Sequence, residues 1–396
     1  MATDVLAPIP LNAAPSLQII DNFDDAEARR PEWHDLLERS VRNELTQAPD
    51  WLLPWWRVFG DLDGRRLRIG LFRDGDRLIG LAPLLWRRHW YRGFLPFRRL
   101  ELLASGEVEG DAIVSNHIGI IAERGAEATV ARRFVDALAD GAFGSWDEIV
   151  LPMMSGDTAM PELLIAAFRA AGYSAESMET AGAPFITLPA TWDEYLAKLP
   201  GKERKNLKRQ LRLFDEWSGG TTELESVSTV GDLERGKKIL VDLHQARWAS
   251  EAQSGVFRSP LFSAFHDATM YDLAERGVLE ILVLRARGEP VAALQTYVWA
   301  DKVTAYQTGR RPDLPQNLSP GSVIFAWAIR RAIEQGRREF DMLADAVHYK
   351  LQLTQQIRPL VQVRVARSCV VEWLRRAGVG IARWMRRGEE PKEAQG

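Results

Sequence analysis

The stretch SPGSVIFAWAIRRAIEQ, from Ser319 onward, has the residue types that hold an anion. A serine can cap a helix and a proline fits its first turn without wasting a donor. A glycine there lets a ligand approach the backbone N–H groups of Gly321, Ser322 and Val323. Such a helix terminus can hold a phosphate. The same residues also make an ordinary Ser-Pro helix start. A second candidate is KERKNLKRQLR, with six Lys or Arg in the eleven positions from Lys202 to Arg212. It suits a small anionic ligand, and equally a solvated helix face.

Other templates fail. GDLERGK, at 231–237, has the letters of a phosphate loop, but Lys238 stands where a Mg²⁺-binding Ser or Thr is needed and no hydrophobic strand precedes it. The histidines, at 34, 89, 117, 244, 266 and 348, form no i, i+4 pair with a carboxylate, and no G-x-S-x-G elbow occurs. Neither metal catalysis nor serine hydrolysis is expected.

The elements that must position these residues follow from periodicity. Leu207, Leu211 and Phe214 recur at i, i+4 and i+7, so the basic run is an amphipathic helix with its charges outward. Helices are expected at 31–42 and 51–59, then strands at 66–73 and 77–86 joined by the turn Asp74-Gly75-Asp76. A strand at 99–104, a helix at 128–138 and a strand at 146–152 come next. The second half repeats the order: helices 232–250 and 260–276, strands 279–285, 291–299 and 302–309, helix 321–335 and strand 338–343. Setting Gly75 on Gly288 aligns GDRLIGL with GEPVAAL and brings residues 146–151 opposite 338–343. Duplication of an α/β unit is the reading.

Composition sets the bounds. A chain of 396 residues, 46% hydrophobic, with 51 basic and 54 acidic residues, has room for two domains and no overall field that draws polyanions. One cysteine, Cys369, excludes a disulfide framework within the chain and a multi-Cys zinc site. With no signal peptide pattern and no long apolar run, a cytoplasmic location is expected, at most peripheral on the inner membrane face. No nucleic-acid partner is expected, because the basic helix lacks interleaved aromatics and a basic domain around it.

Four words together carry a family resemblance: KERKNLKRQLRL, LHQARW (243–248), SPG (319–321) and DMLADAVHYK (341–350). Their order and spacing resemble the bacterial acyltransferases of the BioF2-like or CelD-like group, tandem GNAT proteins related to the Fem peptidyltransferases. The likeness covers about residues 185–350, and the first half mainly through PDWLLPWWRVFG and LIGLAPL. In that group a glycine stands at position 345, here Asp345; acidic residues stand at Ala346 and Val347; and G-F-D-P reads Gly309-Arg310-Arg311-Pro312.

The resemblance implies an α/β (α+β) fold of two GNAT-like mixed-sheet domains in tandem, at 16–180 and 181–365, the second carrying the site. Residues 1–15 would be a loose leader and 366–396 a basic amphipathic segment. It implies acyl transfer from acetyl-CoA or another acyl-CoA, without metal, to an amine of a small molecule or of a saccharide or peptide envelope precursor. Ser319, Gly321 and Ser322 would hold the pyrophosphate with Arg310 or Arg311. Gln307 and Thr308 would offer backbone donors to the thioester oxygen. His348 would serve as base and Tyr349 as acid, or else as a surface histidine and a packing tyrosine. Arg204, Lys208, Arg247, Trp248 and Lys350 would line the acceptor side, and Asp341 would be structural. The alternatives are a Fem-type transferase using aminoacyl-tRNA and a non-catalytic scaffold in polysaccharide assembly. In the C-terminal segment Val370, Trp373, Leu374, Ile381, Trp384 and Met385 share an apolar face beside several arginines. That face is expected to dock on the second domain, with membrane contact through 366–387 as the other reading.

Overall fold

A computed structural model describes residues 15–376. The first half runs β1 (Ser16–Ile20), α1 (Phe23–Ala28), α2 (Arg30–Arg39), α3 (Pro49–Phe59), β2 (Arg66–Asp74), β3 (Arg77–Tyr91), β4 (Leu95–Leu102), β5 (Ile121–Ala122), α4 (Glu127–Ala139), β6 (Glu148–Ser155), α5 (Met160–Ala170) and β7 (Ser174–Thr187). The second half runs α6 (Trp192–Lys198), α7 (Gly201–Ser218), β8 (Glu223–Val227), α8 (Val230–Ser250), α9 (Pro260–Glu275), β9 (Leu279–Ala286), β10 (Glu289–Trp299), β11 (Lys302–Arg310), α10 (Pro320–Glu334), β12 (Glu339–Asp341), α11 (His348–Leu351) and β13 (Gln356–Ala366).

The internal repeat is visible in the turns. Gly75 and Gly288 both take positive φ, 59° and 80°, at the tips of the β2–β3 and β9–β10 hairpins. That backbone region costs glycine nothing, which is why both tips carry it. β6 and β12 then occupy matching places, parallel to β4 and to β11, the fourth strand of each half. The leucine stripe of α7 packs inward as expected, with Leu207 and Phe214 buried.

One mixed sheet runs β1-β2-β3-β4-β6-β13-β7-β12-β11-β10-β9-β8, with β5 beside β3. The order at its centre is not what two side-by-side units would give. β13, from the end of the second half, lies antiparallel to β6 of the first, with Val363 opposite Leu151. β7, from the end of the first, lies antiparallel to β12 of the second, with Ile186 opposite Phe340. Each half thus lends its last strand to the other, and β7 crosses residue 180 without a break. Both exchanged strands were absent from the sequence expectation.

Three apolar cores cover the sheet. One is shared: α3 and β2–β3 of the first half meet α8, α9 and β9–β10 of the second. Trp51 of α3 stands at its centre, edge-on to Phe265, Tyr297 and Tyr306 with centroids 4.8, 5.5 and 5.6 Å away. Such pairs add directional packing to the burial of area. On the opposite face α4 and α5 cover the first half, and α6, α7 and α10 cover the second.

A buried ionic web closes the junction. Asp341 accepts from His117 Nε2 (3.0 Å), Arg358 Nη1 (3.3 Å) and the Leu343 N–H (2.7 Å). Burial pushes its carboxyl up, but His117, this N–H and Arg358 together hold it well below the usual range, so it stays ionised. Arg358 also pairs with Glu339 (3.0 Å) and Asp157 (2.8 Å), and Lys302 pairs with Glu44. Burial raises Glu44 as well, yet Lys302, His117 and Arg42 bring it down to about 2.

The C-terminal segment departs from expectation. β13 carries the chain back to the first half, so the helical turn at 370–376 is anchored there and not on the second domain. Buried Glu372 binds Arg364 (2.8 Å), which binds Glu148 (2.8 Å), and Arg376 donates to Ser174 Oγ (2.9 Å). Val370, Trp373 and Leu374 are 73%, 68% and 45% exposed, so this part of the apolar face is not docked. Ile381, Trp384 and Met385 lie outside the described residues. Among those described, no helix is long and apolar enough to cross a membrane.

The exchange predicts mutual dependence. A fragment of residues 15–187 alone should show no cooperative thermal transition by circular dichroism, because the facing edges of β6 and β7 lose β13 between them. Co-expression with residues 188–376 should restore a single transition. Cooperative unfolding of the isolated fragment would contradict the interlock.

Candidate active site

In the second half β11 pairs with β12 only through Lys302–Thr304 and Glu339–Asp341. Just beyond, the ladder to β10 skips Tyr306, since Thr296 faces Ala305 while Gln295 faces Gln307. A bulge of this kind bends a strand and raises its twist. β11 therefore leaves β12 here, and the chain after β12 turns aside with the Met342 N–H on Pro184 O (2.9 Å). Gln307 and Thr308, both half-buried, lie on the diverging arm.

α10 begins at the end of that arm. Ser319 does not cap it through a backbone bond: its φ of −123° and ψ of 79° fall outside the capping region, and its hydroxyl meets Ser322 Oγ instead (2.8 Å). The first-turn N–H groups are left without that cap, and free donors at a helix N-terminus favour an anion. A Cβ placed on Gly321 would have only Arg310 Cδ within reach, at 3.9 Å. The arginine and the open turn are thus neighbours.

Arg310 belongs to a small charged cluster. Glu251, just past α8, accepts from Arg310 Nη2 (3.2 Å) and lies 3.5 Å from Arg247 Nε. Arg247 Nη1 reaches Thr308 Oγ1 (3.4 Å), and its guanidinium stands 4.9 Å from the centre of the Trp248 ring. Trp248 in turn donates to His244 Nε2 (2.9 Å). Burial, with help from Arg247, pushes His244 down to about 4, so the ring is a neutral acceptor. Two guanidinium groups around one carboxylate leave net positive charge beside the open helix turn. Arg311 is turned away, onto Asp313 (2.9 Å).

Tyr349 reaches the same region. It packs on Phe325 with centroids 5.6 Å apart; burial raises its hydroxyl, Arg247 pulls it down and Asp345 pushes it up. A neutral phenol here is a proton donor. His348 is exposed, its Nε2 beside the Gln352 amide (3.0 Å). Lys350 is buried and donates to Ala344 O (2.6 Å) and Leu343 O (3.4 Å); burial pushes it down to about 8 against the pull of Asp345 and Asp341. It ties down a loop in which Leu343 and Asp345 have φ of 57° and 70°. Asp345 thus sits in the left-handed region, which explains a glycine at this place in the resembled group. Aspartate tolerates that region better than most residues.

The basic helix is placed differently. α7 lies against α10 with a cavity of about 190 Å³ between them, lined by Leu211, Phe214 and Trp327. Arg204 donates to Ala197 O (3.5 Å) and Lys208 is exposed. Among the described residues no hydrogen bond joins either to the Arg247–Arg310 cluster. The structure therefore brings together Arg247, Trp248, Thr308, Arg310, Gly321 and Tyr349, and sets Arg204, Lys208 and His348 apart. Glu251 was missed; its only signal is its place one turn after Arg247.

Comparison with known proteins agrees with this geometry. Residues 201–351 match the model of the acetyltransferase (GNAT) domain family, which places the likeness in the second half. Among solved structures the chain is similar to FemX at 11% identity, over 88% of this chain and 96% of that one, with a TM-score of 0.56. A conserved protein from Bacteroides thetaiotaomicron aligns at 12% identity over 89% and 100%, TM-score 0.51. L-PGS from Bacillus licheniformis aligns at 13% over 87% and 91%, TM-score 0.50. At such identities the likeness is one of fold, and it spans both halves. No curated protein matches the sequence.

The cluster depends on how closely α8 lies on β11. A Cβ on Gly309 would come 2.5 Å from His244 N and 2.7 Å from the Leu243 carbonyl carbon, both backbone atoms that cannot yield cheaply. Gly309→Ala should cost about 1–3 kcal/mol in a denaturation measurement. An unchanged midpoint would show that α8 does not rest on this glycine.

Proposed function

We propose that this chain is an acyltransferase that moves an acyl group from acyl-CoA to an amine, with its reaction centre in the second half. The observation that carries the reading is the uncapped first turn of α10 beside Arg310, at the mouth of the opening between β11 and β12. The CoA pyrophosphate would rest on the N–H groups of Gly321 and Ser322. Its pantetheine arm would run along β11, where backbone N–H groups of Gln307 or Thr308 would face the thioester oxygen. The amine nitrogen attacks the thioester carbon, the C–S bond breaks, and Tyr349 supplies the proton that the departing thiolate takes. The amine proton leaves toward solvent. None of these steps calls for a metal ion. The resemblance to the BioF2-like and CelD-like group supports an amine acceptor on a small molecule or on a saccharide or peptide precursor.

Gly321→Val tests the donor site. The added branches would project toward Arg310 and block the close approach of an anion. Affinity for acetyl-CoA, or for a longer acyl-CoA if acetyl-CoA does not bind, should fall at least tenfold by calorimetry, about 1.4 kcal/mol. Equal affinity in the variant would remove the pyrophosphate from this turn.

The exposed basic face of α7 favours a second reading, in which the donor is aminoacyl-tRNA. Under the acyl-CoA reading tRNA binding should be weak and vanish at physiological salt, because few phosphates are neutralised. Sub-micromolar tRNA binding retained at that salt would replace CoA with tRNA as the donor.

A further inference from the structure

The first half has a cleft of its own. β4 and β6 pair through Arg99–Glu101 and Glu148–Val150 and then part. After a detour the chain returns as residues 118–122, which join β3 through β5. Its last tie to β6 is the His117 N–H on Met153 O (2.9 Å). Past that point the two arms enclose about 640 Å³, lined along the arms by Ile118, Ile120 and Met154 and closed by the first turns of α4 and α5. That volume suits a small-molecule ligand, and the lining suits an apolar one.

Where the arms part, Ser155 lines the cleft and its Oγ lies 2.8 Å from His117 Nδ1. The other nitrogen of that ring lies 3.0 Å from Asp341 Oδ2. All three side chains are buried: Ser155 is 5% exposed, His117 3% and Asp341 4%. His117 is held with φ at 64°, a backbone region unfavourable for its side chain, and the Gln47 amide clamps its carbonyl (2.7 Å). In the neutral form of the ring, ionised Asp341 holds the imidazole proton on Nε2 and leaves Nδ1 as the acceptor for the Ser155 hydroxyl. A hydroxyl on a base that is oriented by a third group is the arrangement of an activated nucleophile. It is recognised by geometry and not by order in the chain.

The geometry points to a second reaction site, in which Ser155 accepts the acyl group of an ester or thioester bound in the cleft of the first half. A bond forms between Ser155 Oγ and the acyl carbon, and the bond from that carbon to the leaving sulfur or oxygen breaks. The hydroxyl proton passes to His117 Nδ1 and from there to the leaving group, so charge balances and no other reactant is needed. Free N–H groups in the first turn of α5, at Ala159 and Met160, favour the negative charge that develops on the acyl oxygen. Asp341 is a positioning residue. It comes from the second half, so the site exists only when the halves are joined.

The test uses the full chain and two probes: a fluorophosphonate, which phosphonylates an activated serine with release of fluoride, and the acetyl thioester of a small thiol. Mass spectrometry of wild-type protein should find one phosphonyl adduct, on Ser155, and an acetyl group on the same residue. Ser155→Ala should abolish both, and Ser155→Cys should regain acetylation. The labelling rate should fall at least a hundredfold in His117→Gln. In Asp341→Asn the rate should fall as the tautomer changes. These two variants touch the junction, so a third keeps the test independent of folding. A Cβ on Gly119 would meet Met154 at 3.5 Å and Gln47 at 3.6 Å, ordinary contacts, so Gly119→Leu should fold and close the cleft to the probe. No adduct on wild-type Ser155, or a rate unaltered in a folded His117→Gln, overturns the inference. Neither probe is a CoA ester, so labelling of Ser155 without CoA binding at α10 would spare this inference and sink the acyl-CoA reading. CoA binding without labelling would do the reverse.

Discussion

Everything in this molecule depends on the exchange of terminal strands. β6 and β7 are consecutive in their half, yet they do not pair with each other through the sheet centre, because β13 lies between them. The backbone donors and acceptors on those edges can be satisfied only by a strand from the far end of the chain. Two units that could have been beads on a string are obliged to fold as one. The shared core around Trp51 and the ionic web around Asp341 and Arg358 then form at a junction that cannot open without breaking sheet hydrogen bonds. Removing one member of such a web leaves its partner charged and buried, which is why the arrangement specifies the junction more than it strengthens it.

The same geometry makes two clefts. In each half the fourth strand, β4 or β11, runs parallel to its neighbour, β6 or β12, for only three residue pairs and then turns away. What fills the two openings differs. The second-half opening is bordered by Arg247, Arg310 and Glu251 and by a bare helix turn, a place for a charged group. The first-half opening is lined largely by isoleucine and methionine, with charged residues such as Arg42 and Asp157 among its lining and Ser155 where its arms part. Two openings of similar backbone plan are thus lined by different side chains, which is why function is argued from the site and not from the fold.

Local pattern made much of the fold legible. The hairpin glycines, the leucine stripe of α7 and the Ser-Pro-Gly start of α10 act within a few residues, and each stands close to where the periodicity puts it. β7 and β13 were not legible. SAESMETAGAPFIT is rich in small and charged residues, and its reason for being a strand is β13 and β12 on either side. Of the site, the loop from Asp341 to Lys350 was found through the resemblance, but the directions of its side chains were not. His348 faces outward and Lys350 inward, and neither orientation follows from the order of letters.

The sequence by itself determined two repeated α/β units, the helix turn that can receive an anion and the basic amphipathic helix, because each rests on interactions between near neighbours. Only the tertiary structure decided which strands lie together, and with them the company of Asp341. Read along the chain it is one acid in a short strand; in space it meets His117, 224 positions earlier, whose other ring nitrogen meets Ser155. A hydrogen-bond relay requires three side chains within bonding distance. Chain order constrains that only through the fold, and here the fold brings the atoms together by passing strands between the halves.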